Sequence, residues 1–214
     1  MTLRRMLAEG AQMLEIPLSE QQTDAFLVYL VELEKWNRKI NLTSIRDEQG
    51  IIVKHFLDSL SYLKGFTPDA GTALLDIGSG AGFPALPLKI ACPDLSVTLV
   101  EAVNKKASFL RHILRTLNIQ GAEVAAKRTE QLPVSFHARF AVVTARAFAS
   151  MEKALFESSR FLAHGGSVVL SRGPDEMIES ALAERCGFLI ETVERFALPF
   201  LNEQRAIWVF RKLD

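Results

Sequence analysis

The sequence predicts an α/β fold: a doubly wound, mostly parallel sheet with an antiparallel C-terminal pair of strands and an N-terminal helical extension. Before residue 67, apolar residues recur at three- and four-residue intervals, which is typical of amphipathic helices. After it, short runs rich in β-branched residues begin about every 20 residues, with helical stretches between most of them. Strands that alternate with helices form right-handed βαβ units and therefore a parallel sheet.

The N-terminal region has the pattern of three helices. Ser19, followed three residues later by Gln22 just before an apolar run, is typical of a capping box at the start of the second helix. The segment TPDAG at 67–71 has turn chemistry and marks an internal boundary. We therefore expect a helical extension over residues 1–66 and a sheet domain over 67–214.

Five predicted strands follow in order, with the sequences ALLDI, VTLVE, AEVAA, FAVVTA and GSVVLS. Helical stretches fall between most of them, at about 84–91, 104–117 and 151–162. Near the C-terminus, FLIETVERFAL and RAIWVFRK follow each other with no helix between them. Adjacent strands joined without a crossover helix pair antiparallel, so we expect the sheet to close with an antiparallel pair.

Composition excludes several classes of protein. The chain has 25 basic and 25 acidic side chains, so its net charge gives no overall attraction to nucleic acid or membranes, and any basic surface must be local. Cys92 and Cys186 stand far apart and outside any CxxC motif, which argues against a disulfide framework and against structural zinc. The sequence shows neither a signal peptide nor a run of ~20 apolar residues. We expect a cytoplasmic protein that binds no metal.

The stretch LLDIGSGAGFPALPL at 74–88 interrupts a buried strand with an acid and glycines. In an open α/β sheet the ligand lies beyond the carboxyl ends of the strands, where Gly78 and Gly80 allow close approach of the backbone. Phe83 occupies the position of the third glycine of a dinucleotide-binding fingerprint, which argues against NAD. Asp76 is a poor neighbour for phosphate and a good one for an ammonium or sulfonium ion. S-adenosylmethionine carries both cations and no phosphate, and is the predicted cofactor.

Two further acids follow the next two strands. Glu101 ends the second strand, where such sheets present a carboxylate to two ribose hydroxyls. Glu130 follows the third strand and is predicted to accept a hydrogen bond from the adenine amino group, with the backbone of Thr129 and Glu130 at the ring edge. Either acid alone is more often simply solvated. Their order after successive strands fits one adenosyl ligand.

Five ordered blocks of sequence resemble a known family: KWNRKINLTSIRD, KHFLDSL, LLDIGSGAGFPALPLKI, ARAFAS and NEQRAIWVFRK. Together they resemble the bacterial small-subunit ribosomal RNA guanine-N7 methyltransferases, also called the glucose-inhibited division protein B family. The resemblance covers nearly the whole chain. It implies a class I methyltransferase sheet of the Rossmann type, S-adenosylmethionine as methyl donor, and N7 of a guanine in the 530 loop of 16S ribosomal RNA as acceptor.

The resemblance also assigns residues to the cofactor. It implies that the methionine end lies near Gly78 and Phe83 and the adenine near Thr129 and Glu130, with Arg146 as a further contact. This chain departs from the family at two positions, where Lys54 replaces an arginine and Arg172 replaces a lysine. Both keep the positive charge, although lysine and arginine differ in hydrogen-bond geometry.

Guanine N7 is an exposed lone pair that attacks a methyl group without prior deprotonation, so this chemistry needs alignment rather than a general base. Arg146 and Arg205 are the candidate catalytic residues, because arginine can read O6 of guanine or contact phosphate. An ordinary edge-strand charge is the alternative for Arg205. His55 and Asp58 lie three residues apart on one helix face, and we expect a structural hydrogen bond there rather than a metal site.

RNA contact is predicted for the basic segment 104–115, whose cations are Lys105, Lys106, Arg111 and Arg115. A solvated helix face is the alternative. A second basic group, Lys35, Arg38 and Lys39, flanks Trp36, which fits the core period. We expect no partners for His112, His137 and His164.

Three classes of function remain open from the residues. They are an RNA guanine-N7 methyltransferase, a methyltransferase of a small molecule or protein, and a non-catalytic nucleotide-binding module; an NAD-dependent oxidoreductase is disfavoured by Phe83. We expect a monomer. The sequence does not distinguish naked RNA from an assembled small-subunit particle as substrate.

Overall fold

A computed structural model of the chain describes residues 1–146, 150–173, 180–201 and 203–213. Its centre is a seven-stranded sheet with the order β3-β2-β1-β4-β5-β7-β6. The strands are β1 (Ala73–Ile77), β2 (Ser96–Val100), β3 (Ala122–Ala125), β4 (Phe140–Ala145), β5 (Leu162–Arg172), β6 (Phe188–Ala197) and β7 (Gln204–Lys212). The first five are parallel, and β7 is antiparallel to both β5 and β6. The predicted fold class is confirmed.

The helices precede and connect these strands. They are α1 (Leu3–Met13), α2 (Glu20–Ile40), α3 (Glu48–Ile51), a π-helix (Ile52–Leu57), α4 (Asp58–Leu60), a 3-10 helix (Ser61–Lys64), α5 (Ala85–Ala91), α6 (Asn104–Thr116), two more 3-10 helices (Thr129–Gln131 and Val134–Phe136), α7 (Met151–Ser159) and α8 (Ser180–Arg185). The third predicted helix is thus four short helical segments in series. The capping box at the start of α2 is confirmed, since the Ser19 N–H donates to Gln22 Oε1 at 2.8 Å and Gln22 N–H donates to Ser19 Oγ at 3.2 Å.

Side chains alternate across the sheet and build a hydrophobic core on each face. Leu74 of β1 belongs to one core and its neighbour Leu75 to the other, as the two-residue period of a strand requires. The first core also contains Tyr29 of α2 and Phe56 of the π-helix. The N-terminal helices therefore bury their apolar faces against one side of the sheet.

The connection at residues 67–71 is non-helical, and β1 follows it. Division of the chain into two units at that point stays a prediction. Within the described ranges, no helix is both long and apolar enough to cross a membrane. The strands β1 to β4 all end at the same edge of the sheet, and the site described next lies at that edge.

Candidate active site and family

The turn after β1 leaves open space above its backbone. Gly78 has a φ of 72° and Gly80 a φ of 57°, in the left-handed region that favours glycine. A Cβ on Gly78 would meet nothing within 4 Å, whereas a Cβ on Gly82 would lie 2.6 Å from Tyr29 Oη and 2.5 Å from Leu86 Cδ1. The first two glycines therefore leave room for a ligand, and Gly82 is required by packing.

A cavity of about 260 Å³ lies beside this turn, at the carboxyl ends of β1 and β2. Four predicted cofactor residues line it: Gly78, Glu101, Thr129 and Glu130. Its other lining residues are Ile77, Val100, Ala102, Lys127, Arg128, Lys153 and Glu157. Sequence reasoning missed Lys153 and Glu157, which come from α7, because nothing in the local pattern indicates that this helix reaches the cavity. Lys127 and Arg128 were identifiable, since they immediately precede Thr129.

Glu101 is held in place by the backbone. Its side chain is buried, with the residue 6% exposed, and its Oε2 accepts the Gly80 N–H at 2.9 Å while its Oε1 accepts the Val103 N–H at 2.7 Å. Each carboxylate oxygen can accept a second hydrogen bond. The carboxylate at the cavity wall thus fits a pair of hydroxyl donors such as those of a ribose.

Asp76 lies fully buried at the end of β1 and does not line the cavity. Its Oδ1 accepts a hydrogen bond from Thr144 Oγ1 at 2.9 Å, while its Oδ2 is buried and has no partner among the described residues. Burial raises the pKa of Asp76 to about 7. An acid with one unpartnered oxygen fits a cationic ligand, but direct contact with that ligand stays a prediction.

Phe83 belongs to the hydrophobic core below the turn. It is 6% exposed, and its ring stacks on His55 with centroids 4.5 Å apart and on Tyr29 with centroids 5.7 Å apart. The contact of Phe83 with the methionine end stays a prediction.

The two candidate catalytic arginines meet on one carboxylate. Asp58, which begins α4 and is 4% exposed, accepts Arg146 Nη2 at 3.0 Å on one oxygen and Arg205 Nε at 3.2 Å on the other. Arg146 Nη2 also donates to the Lys54 carbonyl at 2.7 Å, and Arg205 Nη2 donates to Glu203 at 2.8 Å. The structural role predicted for Asp58 takes the form of a double ion pair between the N-terminal helices and the sheet.

His55 is a partly buried residue near Arg146. Its Nε2 lies 2.6 Å from Thr43 Oγ1, and burial, reinforced by the nearby Arg146, lowers the pKa of His55 to about 4. The ring is therefore neutral at physiological pH. Of the two positions predicted to depart from the family pattern, Lys54 pairs with Glu203 at 2.9 Å, and Arg172 ends β5 beside β7.

The predicted RNA-binding segment forms α6, on which Lys105, Arg111 and Arg115 are exposed. Trp36 packs against Phe109 of this helix with ring centroids 5.6 Å apart, as expected for a core residue. The expectation of no partners is wrong for His137, whose ring lies edge-on to Phe161 with centroids 5.8 Å apart, and for His112. Its Nε2 lies 2.7 Å from Glu32 Oε2 on α2, a contact between residues 80 positions apart that local pattern cannot indicate.

Parts of the family blocks fall outside the described residues. These are positions 147–149 of ARAFAS and Asn202 of NEQRAIWVFRK.

Comparison with known proteins identifies the family. The profile of the family described as GidB, rRNA small subunit methyltransferase G, matches residues 22–208. A Ribosomal RNA small subunit methyltransferase G from Chloroflexus aggregans is 46% identical over 183 residues, which are 85% of this chain and 76% of that protein. The chain belongs to the rRNA small subunit methyltransferase G family. A further family member, from Acetivibrio thermocellus, is 35% identical over 215 residues, covering 98% of this chain and 88% of that protein.

A solved structure agrees with the class I methyltransferase fold. A SAM-dependent methyltransferase from Aquifex aeolicus superposes with a TM-score of 0.56 at 15% identity, covering 75% of this chain and 92% of that one. The predicted enzyme class and the predicted cofactor, S-adenosylmethionine, are confirmed by membership of the rRNA small subunit methyltransferase G family.

Proposed function

We propose that this member of the rRNA small subunit methyltransferase G family transfers a methyl group from S-adenosylmethionine to N7 of a guanine in the 530 loop of 16S ribosomal RNA. The observation that carries the proposal is the joint placement of the cavity at Gly78 and Glu101 with the arginine pair on Asp58 at one edge of the sheet. Ribosomal RNA as substrate also fits the names of the relatives.

The cavity residues fit an adenosyl ligand in a definite order. Glu101 accepts the two ribose hydroxyls, and the Thr129 and Glu130 segment meets the adenine edge. The open space above Gly78 and Gly80 takes the methionine end, with Asp76 as the nearby negative charge. When bound, the cofactor supplies an electrophilic methyl group on a sulfonium centre.

The protein's own task is to orient the acceptor and exclude water. N7 of guanine carries an in-plane lone pair, so alignment and fixed electrostatics supply the catalysis and no general base is needed. Guanine becomes cationic as it accepts the methyl group, so Arg146 and Arg205 must act on O6 or on a phosphate. Arg146, whose side chain is 28% exposed and whose Nη1 has no partner among the described residues, is a suitable donor for such an acceptor.

RNA affinity comes from local basic residues, since the chain has no net charge. The exposed cations of α6 are the proposed phosphate contacts. We place the enzyme in the cytoplasm as a monomer, where small-subunit RNA is available.

The experiment is mass mapping of small-subunit RNA after incubation with purified protein and isotope-labelled S-adenosylmethionine. Deproteinised RNA and isolated particles are tested in parallel. We expect the label as 7-methylguanosine in the 530 loop, in at least one of the two substrates. Label on another base, or transfer only to a protein or small molecule, would overturn the proposal.

A further inference from the structure

The N-terminal helices contact the candidate active site at three points. Tyr29 of α2 donates a hydrogen bond to the Ala81 carbonyl in the glycine turn. His55 of the π-helix stacks on Phe83, which follows the same turn. Asp58, one residue after the π-helix ends, accepts both arginines. A π-helical turn is rare and often occurs at functional sites, so this placement directs attention to Asp58.

Burying the carboxylate of Asp58 costs free energy, which a purely structural contact does not readily offset. A carboxylate that is 4% exposed loses most of its hydration, and an ion pair in such a place is often no more stabilising than apolar residues of similar size. Burial raises the pKa of Asp58, although both guanidinium groups act in the opposite direction. The gain from keeping an acid here must therefore lie in the geometry that it imposes on Arg146 and Arg205.

That geometry leaves one nitrogen of Arg146 without a hydrogen-bond partner among the described residues. Nη2 has two acceptors, Asp58 Oδ2 and the Lys54 carbonyl, which fix the plane of the guanidinium group. Nη1 is buried and has no partner within the part of the chain that the structure describes. The guanidinium carbon also lies 5.8 Å above the centre of the Phe83 ring, which restricts its position further. The Arg146 side chain is 28% exposed, and an arginine held this way can meet a substrate acceptor without losing much entropy on binding.

We propose that Asp58 is a positioning residue for the methyl transfer, which holds Arg146 and Arg205 in the orientation that meets the target nucleotide. The inference rests on the proposed function. It makes the N-terminal extension part of the active site, because the sheet domain supplies both arginines and the extension supplies the carboxylate between them.

The test compares Asp58→Asn with Glu32→Gln. Both changes remove the charge of a poorly exposed acid on the N-terminal helices that pairs with a side chain of the sheet domain. Glu32, however, contacts His112 of α6, which belongs neither to the cofactor cavity nor to the arginine pair and is not one of the exposed cations proposed to contact RNA. We expect Asp58→Asn to lower the single-turnover methylation rate at saturating RNA and cofactor about tenfold or more, while both dissociation constants stay within about threefold. Glu32→Gln should keep the wild-type rate within about threefold.

A second readout does not depend on activity. Arg205 Nε donates to Asp58 Oδ1 at 3.2 Å, so the Nε–H signal of Arg205 in an NMR spectrum should shift and exchange faster with water in Asp58→Asn. The rate effect of Asp58→Asn should also shrink in an Arg146→Lys background, since residues acting through one another are not additive.

An Asp58→Asn variant that is folded, keeps the Arg205 signal and methylates at the wild-type rate would overturn the inference. A loss of rate equal to the loss of folded protein, measured by urea unfolding, would overturn it as well. Failure of the wild-type protein to methylate ribosomal RNA would instead contradict the proposed function, and the NMR comparison would still test the contact.

Discussion

At the residue scale, the two buried acids Glu101 and Asp76 have surroundings that suit different chemical groups of a ligand. Both oxygens of Glu101 accept backbone N–H groups, so this carboxylate is fixed and faces the cavity. Asp76 has one oxygen without a partner among the described residues. Glu101 is therefore suited to accept hydrogen bonds from hydroxyl groups. A cationic ligand near Asp76 would stabilise the ionised form of that carboxyl group.

Glu101→Gln should weaken cofactor binding moderately. Glutamine has one acceptor oxygen, so its amide group must turn a donor toward the N–H of Gly80 or Val103. We expect a loss of about 1–2 kcal/mol in the free energy of S-adenosylmethionine binding, the range for a charge-assisted hydrogen bond. Calorimetric titration measures the effect. Equal affinities for wild type and variant would mean that Glu101 does not hold the ribose.

Asp76 should make the stability of the ligand-free protein fall as pH rises toward neutrality. Its pKa is about 7 in the folded protein against an ordinary 3.8, so between these values the folded state holds a proton that the unfolded state releases. This contribution is complete below pH ~4 and is lost as pH rises through ~7, with a slope of up to about 1.4 kcal/mol per pH unit.

His55 has the opposite effect on how the stability of the fold depends on pH. Its pKa of about 4 lies below the ordinary 6.5, so its contribution grows between pH ~4 and ~6.5 and offsets that of Asp76. Urea unfolding of wild type and Asp76→Asn from pH 4.5 to 8 separates the contribution of Asp76 from that of His55. The variant should gain stability with rising pH up to ~6.5 and then level off, whereas wild type should decline above ~6.5. Parallel profiles would show that Asp76 is ionised throughout.

At the element scale, α2 supports the glycine turn from below. Tyr29 donates to the Ala81 carbonyl, and its hydroxyl occupies the space that a side chain on Gly82 would need. Gly82→Ala should therefore destabilise the fold by about 2–4 kcal/mol, the sum of overpacking and a positive φ of 101°. Gly71→Ala is the matched control, because Gly71 has a φ of 81° and open space around its Cβ position. Equal losses of unfolding free energy in the two variants would refute the packing role.

The helix α6 should carry part of the RNA affinity. Replacing Arg111 and Arg115 with glutamine removes two exposed cations and should weaken RNA binding at low salt. The slope of log affinity against log salt should flatten by about 0.7–0.9 for each phosphate that the protein no longer neutralises. Cofactor affinity should not change. Fluorescence anisotropy with a small-subunit RNA fragment at several salt concentrations gives both the affinity and the slope.

Arg195→Gln is the control for this experiment, since it removes an exposed cation from β6, away from α6. An unchanged salt slope in the double variant would make α6 a solvated face. The RNA-binding surface would then have to include Lys35 and Arg38 of α2.

At the scale of the whole molecule, the sequence was sufficient to predict the sheet and the cavity. Strand and helix periods are local, and the order of Glu101 and Glu130 after successive strands fixes which edge they share. Both residues line the cavity with Gly78 and Thr129. Each of these inferences needs only neighbouring residues and the handedness of βαβ units.

The supporting contacts could not be predicted in the same way. Asp58 meets Arg205 across 147 positions, and Glu32 meets His112 across 80. The stacking of Phe83 on His55 joins residues 28 positions apart, and local sequence pattern does not indicate it. The π-helix is also invisible to periodicity, because it differs from an α-helix by one residue per hydrogen-bonded turn.

The most direct test of the central claim is methyl transfer to two 16S ribosomal RNA substrates that differ by one atom. One carries guanine at the target position of the 530 loop, and the other carries 7-deazaguanine, which lacks N7. We expect transfer to the first, and a rate on the second at least about a hundredfold lower, because the attacking lone pair is absent. Comparable methylation of both RNAs would contradict transfer to N7.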